Sequence, residues 1–376
     1  MGKYNFDEVI DRHGTDCLKY DFGMKRKGRD DLLPLWVADM DFRLPDEILD
    51  EFHKRIDHGI FGYTDPLDEY FDAMNHWFST RYGYKIKPEW VTLGAGIVYA
   101  LGTSVKAFTE EGDAMMVMQP VYYPFSEVIK NDGRKLVNCQ LRYENNRYSI
   151  DFEKMEQMIK EENVKALIFC NPHNPVGRVW TREEMEKVAE ICLKYNVIWM
   201  VDEMHCDFIF PGHKFTSCMN LDKKFHEIIA LYSSPGKTFN VAGLQPANII
   251  IPNEELRKKY QWANTQAAYS QGSLMGQLAV KVCYTKGADW VDELVEYIYE
   301  NVKYMSRYVK ENFSDYPLWI RSVNFEPDLI DWKFWQYCDS GELEGYNGDE
   351  KCIDFNVYNG TEEEFLDEFS SEQEEE

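Results

Sequence analysis

From about residue 90 to 251 the chain alternates short apolar runs with longer stretches of helical periodicity. Five runs read as strands: Ala114–Gln119, Val164–Cys170, Val197–Asp202, Glu227–Tyr232 and Ala247–Ile251. They are rich in Val, Ile and Met and show little polar alternation, the pattern of strands covered on both faces. Between them, Ile97–Phe108 and Arg182–Tyr195 read as helices. The second carries a start signal, with Thr181 at the N-cap and Glu184 three residues on as a capping box. Strand–helix alternation predicts a mostly parallel α/β sheet, in which ligands gather at the carboxyl ends of strands. Residues 1–90 and the helical stretch from about 254 onward form the second layer, with Asp289–Lys310 as one long helix. After Tyr316-Pro317 the periodicity decays, and the mixture of Trp, Tyr and charges over Asp328–Asn347 assigns no element.

A chain of 376 residues is long enough for a large core and for two domains. The aromatic content of 15% argues against disorder over most of it. No apolar run approaches the roughly 20 residues a membrane helix needs. Met1–Asp11 has neither a basic nor an apolar region, so no signal peptide is expected. Nine cysteines without CxxC or zinc-like spacing read as reduced thiols in a cytoplasmic protein. The net charge of −25 argues against nucleic-acid and anionic-membrane partners. That charge is uneven. Residues 317–376 hold 18 acidic and 3 basic side chains, a net of −15, which leaves −10 for the preceding 316 residues. The segment Thr361–Glu376 is acidic enough to predict a disordered tail.

Four features fall at predicted strand ends or strand–helix turns. Thr92-Leu93-Gly94-Ala95-Gly96-Ile97-Val98 opens a helix through glycines, and the N–H groups exposed at a helix start suit a phosphate. Asn171-Pro172-His173-Asn174-Pro175-Val176-Gly177 follows a strand and, taken alone, reads as a turn. Asp202-Glu203-Met204-His205 ends another strand, where a buried aspartate is costly unless paired. His205 and Cys206 have no further cluster to support a metal. The fourth feature is Lys237, on a loop just after a strand, with Ser234 three residues before it. Such a lysine becomes a nucleophile if desolvation lowers its pKa. Together the features suit pyridoxal phosphate. Its phosphate needs N–H and hydroxyl donors, its pyridinium a carboxylate, its phenolate oxygen an amide donor and its aldehyde an amine. A nucleotide-binding Rossmann domain fits poorly, because no GxGxxG follows an early strand.

The chain resembles the fold-type I pyridoxal-phosphate enzymes of the class I/II aminotransferase superfamily, and most closely their cystathionine β-lyase or C–S lyase branch. The resembling residues are Trp36 to Phe42, Phe61-Gly62-Tyr63-Thr64 and Gln119 to Phe125. They continue with Asn171 to Gly177, Asp202 to Asp207 with Phe210 to His213, and Lys237 to Leu244, over roughly residues 1–316. The resemblance implies a mostly parallel mixed sheet flanked by helices, plus a small α/β domain, in an active homodimer. It implies that Lys237 forms the Schiff base, Asp202 pairs with the pyridine nitrogen, Asn174 donates to the phenolic oxygen and His205 lies on that oxygen's side. Tyr122 would stack on the ring, the Ile97 and Val98 N–H groups with Ser234 would hold the phosphate, and Tyr63 would reach the neighbouring subunit's phosphate. Trp36 to Asp39 would line the substrate entrance, with Ala38 against the substrate beside Tyr122 and Asn174. The implied division is an N-terminal arm (1–50), a large cofactor domain (51–290), a bridging helix with an atypical small domain (291–360) and an acidic tail (361–376).

Two departures stand out. Gly236 takes a position where relatives commonly place serine, and glycine there is expected to loosen Lys237 modestly. The usual Arg-x-Asn-x-Ala motif, whose arginine clamps the substrate carboxylate, is absent, and after Pro317 Arg321 stands in an unrelated context. The charge shift begins at the same place, as a shifted reading frame or a divergent tail would produce; the coding DNA read in all three frames decides between them. The leading expectation is β-elimination of a thiol amino acid to thiol, pyruvate and ammonia, with activity impaired by the atypical C-terminus. An aminotransferase and a non-catalytic cofactor-binding protein remain the alternatives.

Overall fold

Seven strands form one sheet whose central members are buried on both faces, so their apolar runs meet helices above and below. The structure is a computed structural model that describes residues 2–29, 31, 33–35, 37–144, 147–313, 318–321, 332–341 and 353–369. In chain order the strands begin with β1 (Val91–Ala95), β2 (Ala114–Val117), β3 (Lys135–Asn138), β4 (Arg142–Glu144) and β5 (Arg147–Ser149). Next come β6 (Ala166–Cys170), β7 (Ile198–Asp202), β8 (Ile229–Ser233) and β9 (Pro246–Ile250), then β10 (Leu318–Arg321), β11 (Trp332–Gly341) and β12 (Ile353–Tyr358). The helices start with α1 (Gly23–Lys27), α2 (Asp46–His58), α3 (Asp68–Arg81), α4 (Ile97–Phe108), α5 (Pro124–Asn131) and α6 (Phe152–Glu162). They continue with α7 (Arg182–Lys194), α8 (Glu254–Gln266), α9 (Leu274–Lys286), α10 (Ala288–Asn312) and α11 (Glu362–Phe369).

The sheet order is β1-β9-β8-β7-β6-β2-β3. Pairs from β3 through β8 are parallel, while β9 runs antiparallel to both β8 and β1. All five expected strands form. Thr181 and Glu184 make the expected capping box, with the Glu184 N–H donating to Thr181 Oγ1 and the Thr181 N–H to Glu184 Oε2. On one sheet face Ile168, Met200, Ala230 and Ile249 pack with α4, α5 and α8. On the other, Phe169 meets Trp180 and Trp199, with ring centroids 5.9 and 5.7 Å away. β8 starts two residues later than the apolar run, because Asp222 caps a short 3-10 turn over Lys223–Glu227.

The chain divides into two compact units, one of residues 1–141 and 150–299, the other of 142–149 and 300–376. The second holds the β4–β5 hairpin and a three-stranded sheet in the order β10-β11-β12, with β10 parallel and β12 antiparallel to β11. Two of its elements lie where the sequence assigned none. β11 occupies the unassigned Trp- and Tyr-rich stretch. α11 falls in the segment expected to be a disordered tail, started by a capping box in which the Glu364 N–H donates to Thr361 Oγ1 and the Thr361 N–H to Glu364 Oε2. Acids in its first turn favour the helix N-terminus. Residues 370–376 lie outside the described ones.

An aromatic layer in the first unit anchors the loop after β8. Phe239 is fully buried, stacked on Trp290 at 5.8 Å and tilted against Trp77 at 5.6 Å. Trp77 stacks in turn on Tyr284 at 5.1 Å. Gly287, just after α9, lets the Phe239 ring approach. A Cβ there would lie 2.1 Å from Phe239 Cε1 and 2.7 Å from the Cys283 carbonyl oxygen. Neither neighbour has room to retreat. Gly287→Ala is therefore expected to destabilise the protein by roughly 1–3 kcal/mol through overpacking, read as a lower urea midpoint; an unchanged midpoint would refute this packing account.

Candidate active site

Each candidate side chain stands where a buried strand or helix stops. β7 ends at Asp202, so a carboxylate that begins in the sheet is delivered to its carboxyl edge with 6% of its surface exposed. One oxygen, Oδ1, accepts the Met204 N–H at 3.0 Å, and among the described residues Oδ2 takes no hydrogen bond. Burial pushes this carboxyl up to about 7, against the lowering effects of the Met204 N–H and the Lys237 charge. Its neighbour Glu203 is also buried, but both its oxygens are held, by Ser217 Oγ and by the Cys218 N–H, each at 2.8 Å. Burial pushes Glu203 up to about 7 as well, and the charge of Asp202 adds to the rise.

Lys237 lies on the loop after β8. Its Nζ donates to the Ala38 carbonyl at 2.7 Å, a contact across 199 positions of sequence. Burial lowers its pKa, while the charges of Asp39 and Asp202 oppose the fall. His205 is held as a neutral imidazole near 4, first by burial and then by the Lys237 charge. Tyr122 is half-buried, its ring set edge-on to Phe125 at 5.7 Å, and burial followed by nearby Tyr123 and Asp202 raises its hydroxyl. Asn174 and His205 line one cavity of about 350 Å³ with His173, Phe208 and Phe210. The Asn174 side-chain amide makes no hydrogen bond among the described residues, whereas Asn171 is spent on the fold, donating to the Thr216 carbonyl and accepting the Trp180 N–H.

α4 begins at Ile97 after Gly96, which has φ +83 and leaves the helix without a side-chain cap. The first N–H groups of α4, those of Ile97 and Val98 included, therefore keep the donor capacity of an uncapped helix start. The Ser234 hydroxyl is already engaged, donating to the Pro246 carbonyl at 2.6 Å and accepting the Gly236 N–H at 3.0 Å. Gly236 is itself tied at both ends, since its carbonyl accepts the Val241 N–H at 3.0 Å. The loosening expected from glycine is offset by these bonds, and a Cβ there would press on Ser234 Oγ at 3.1 Å.

The fold thus sets Ala38, Asp202 and His205 around Lys237, with Tyr122 near Asp202 and Asn174 beside His205. It does not bring Tyr63 to them: that side chain is 99% exposed. Trp36 lies outside the described residues. Sequence reasoning gave no role to Asp207, which is buried and accepts from Thr238 Oγ1 at 2.7 Å, from Arg81 Nε at 3.1 Å and from the Tyr82 hydroxyl. Nor did it see Arg12, whose guanidinium holds Asp39 at 2.9 Å and Asp41 at 2.7 Å. Asp207 closes the resembling stretch Asp202 to Asp207, whereas Arg12 had only its charge to mark it. Among the described residues, no group of His, Cys, Asp and Glu is arranged to hold a metal ion.

Residues 30–324 match the aminotransferase class I and II family, to which this chain belongs. It is 41% identical over 298 residues to cystathionine beta-lyase PatB of Bacillus subtilis (strain 168), covering 79% of this chain and 77% of that relative. It is 31% identical over 305 residues to protein MalY of Escherichia coli (strain K12), covering 81% and 77%. In structure it is similar to cystalysin from Treponema denticola, which contains a pyridoxal 5'-phosphate cofactor: TM-score 0.80 and 34% identity, over 83% of this chain and 80% of that one. It is also similar to the PLP-bound C-S lyase from Staphylococcus hominis, with TM-score 0.77 and 31% identity over 83% and 78%. The fold is that of the fold-type I pyridoxal-phosphate enzymes, with a mixed, mostly parallel sheet between helices.

Asp202 and Glu203 bind protons more tightly folded than unfolded, where carboxyls titrate near 4. Their contribution to stability is therefore complete below about pH 4 and lost as pH rises through about 7. In protein stripped of any cofactor, Asp202→Asn is expected to shrink the stability lost between pH 5 and 8 by roughly 1–3 kcal/mol. Urea unfolding at the two pH values measures it, and equal losses in both proteins would contradict the assignment.

Proposed function

We propose that this protein is a pyridoxal-phosphate-dependent C–S β-lyase that cleaves a thiol amino acid to thiol, pyruvate and ammonia. The observation that carries the reading is the desolvated Lys237 amine, set between the Ala38 carbonyl and the buried, half-bonded Asp202. The choice of elimination over transamination is supported by the 41% identity to a cystathionine β-lyase. The residues present fit the cofactor. An uncapped helix start after Gly96 suits its phosphate, Asp202 Oδ2 lacks a partner that a protonated pyridine nitrogen would supply, and the unbonded Asn174 amide suits a phenolate. When bound, the cofactor supplies an aldehyde that condenses with an amine and a ring that takes up an electron pair from Cα.

The chain's own residues do the rest. With the cofactor bound, Lys237 would take the Cα proton on Nζ. Burial has already lowered its pKa, so more of it is the neutral base at neutral pH. Asp202 would hold the pyridine nitrogen and its proton. Asn174 and neutral His205 would hold the cofactor's oxygen, Tyr122 its ring, and the N–H groups of Ile97 and Val98, with Ser234 after a rotation of its hydroxyl, its phosphate. Ala38, Asn174 and Tyr122 line the substrate's path. The Cβ–S bond then breaks with its electron pair leaving on sulfur, and the released three-carbon enamine takes up water to give pyruvate and ammonia.

The protein acts in this reading as a cytoplasmic homodimer. The full exposure of Tyr63, beside exposed Phe61 and Leu67, supports its reaching into the neighbouring subunit's phosphate site. Tyr63→Phe should then weaken cofactor binding roughly tenfold by loss of one charge-assisted hydrogen bond, measured by fluorescence titration of stripped protein; unaltered affinity argues against the shared site. The purified protein should show an absorbance band near roughly 420 nm that borohydride bleaches. Cystathionine should release pyruvate. Lys237→Ala should abolish the band and lower turnover by roughly a thousandfold or more, and a band that survives the substitution would sink the assignment.

A further inference from the structure

Asn240 follows Lys237 by three residues, where the loop passes through a left-handed conformation with φ +54. Asparagine tolerates that backbone, which alone would account for its presence. The side chain does more. Its Oδ1 accepts the Met40 N–H at 3.0 Å and its Nδ2 donates to the Met40 carbonyl at 2.6 Å, so one amide pairs with both backbone groups of a residue 200 positions away. A single hydrogen bond leaves a pivot; two bonds from one planar amide remove it.

The same segment is fastened from its other side. Arg12 Nη1 donates to the Met40 carbonyl at 3.1 Å and to Asp41 Oδ1 at 2.7 Å, and its Nη2 donates to Asp39 Oδ2 at 2.9 Å. Buried Lys19 donates to the Asp39 carbonyl at 3.1 Å. The Met40 carbonyl thus accepts from Arg12 and from Asn240 at once. Two residues earlier, Ala38 gives its carbonyl to Lys237 Nζ at 2.7 Å. The segment therefore lies across the lysine amine and is tied to the lysine's own loop by Asn240. Arg12 and Lys19 hold it to the N-terminal part of the chain but do not fix its distance from Lys237.

We propose that Asn240 is a positioning residue, whose two-point pairing with Met40 holds residues 38–41 in register over Lys237 and so sets the gap through which the amino-acid substrate reaches the amine. The consequence for substrate rests on the reading of Lys237 given above; the clamp itself does not. Asn240→Gly suits the left-handed backbone and removes only the amide. In cofactor-free protein, hydrogen exchange over residues 38–41 should speed up roughly tenfold or more, while β7 and β8 exchange as before. In the loaded enzyme, KM for cystathionine should rise roughly tenfold and kcat change less than threefold, because Asn240 touches no reacting atom. Asn240→Asp sets a carboxylate oxygen against the Met40 carbonyl and should loosen the same segment, so it carries the test should Asn240→Gly not fold. Unchanged exchange over 38–41, an equal rise across β7 and β8, or a loosened segment with unaltered KM each overturns the proposal. A protein that releases no pyruvate but still shows the exchange change would remove the lyase reading and leave the clamp.

Discussion

Four consecutive side chains, Lys237 to Asn240, fasten to three different parts of the first unit, and the candidate site depends on that. Lys237 donates to the Ala38 carbonyl, Thr238 to Asp207, Phe239 fills the space between Trp77, Trp290 and Gly287, and Asn240 pairs with Met40. Backbone bonds close the loop into a turn, with the Phe239 N–H donating to the Pro235 carbonyl and the Val241 N–H to the Gly236 carbonyl, and the side-chain contacts fix that turn to the rest of the unit. The buried ring contributes most to stability, at about 1.5–3 kcal/mol for an apolar side chain removed from water. The polar contacts contribute about 1 kcal/mol each and act mainly through direction. Burial holds the loop in place while the hydrogen bonds aim the amine.

The same arrangement carries an electrostatic cost. Asp202 and Glu203 are adjacent and buried, yet they are satisfied very differently. Glu203 has a donor on each oxygen, from Ser217 and Cys218, and reads as part of the scaffold that brings the 216–220 segment under the end of β7. Among the described residues, Asp202 keeps one oxygen without a donor. A half-bonded buried carboxylate is a poor structural element, and such groups concentrate at functional sites. The inequality between neighbours of like charge and burial sets Asp202 apart from Glu203, which folds the chain.

Much of this was legible in the sequence. The five strands, the capping box at Thr181, the long helix and the strand-end positions of Asp202 and Lys237 followed from periodicity and turn chemistry, because parallel strands under two helical layers leave a strong apolar signature. The motif order from Gln119 to Leu244 then supplied the family. What stayed hidden was long-range. No local pattern couples Asn240 to Met40, Lys237 to Ala38 or Thr238 to Asp207, since each pairing is made by the fold. The second unit was hidden for another reason. Its acidic composition masks short local signals such as the capping box of α11, and the mixed Trp, Tyr and charge content of β11 shows no period of two.

The contact between Lys237 and Ala38 also constrains how the amine can work. A carbonyl accepting from Nζ favours the charged ammonium, as do Asp39 and Asp202, whereas burial favours the neutral amine. A hydrogen bond to a charged group contributes about 1.5–3 kcal/mol. The effects oppose one another at the same atom, and burial is the larger. A backbone carbonyl on a braced segment is a resting partner weak enough for an amine to give up. A carboxylate in Ala38's place would bind the ammonium more tightly and oppose the neutral form, which is why the nearby acids Asp39 and Asp41 are turned instead toward Arg12 and Lys19.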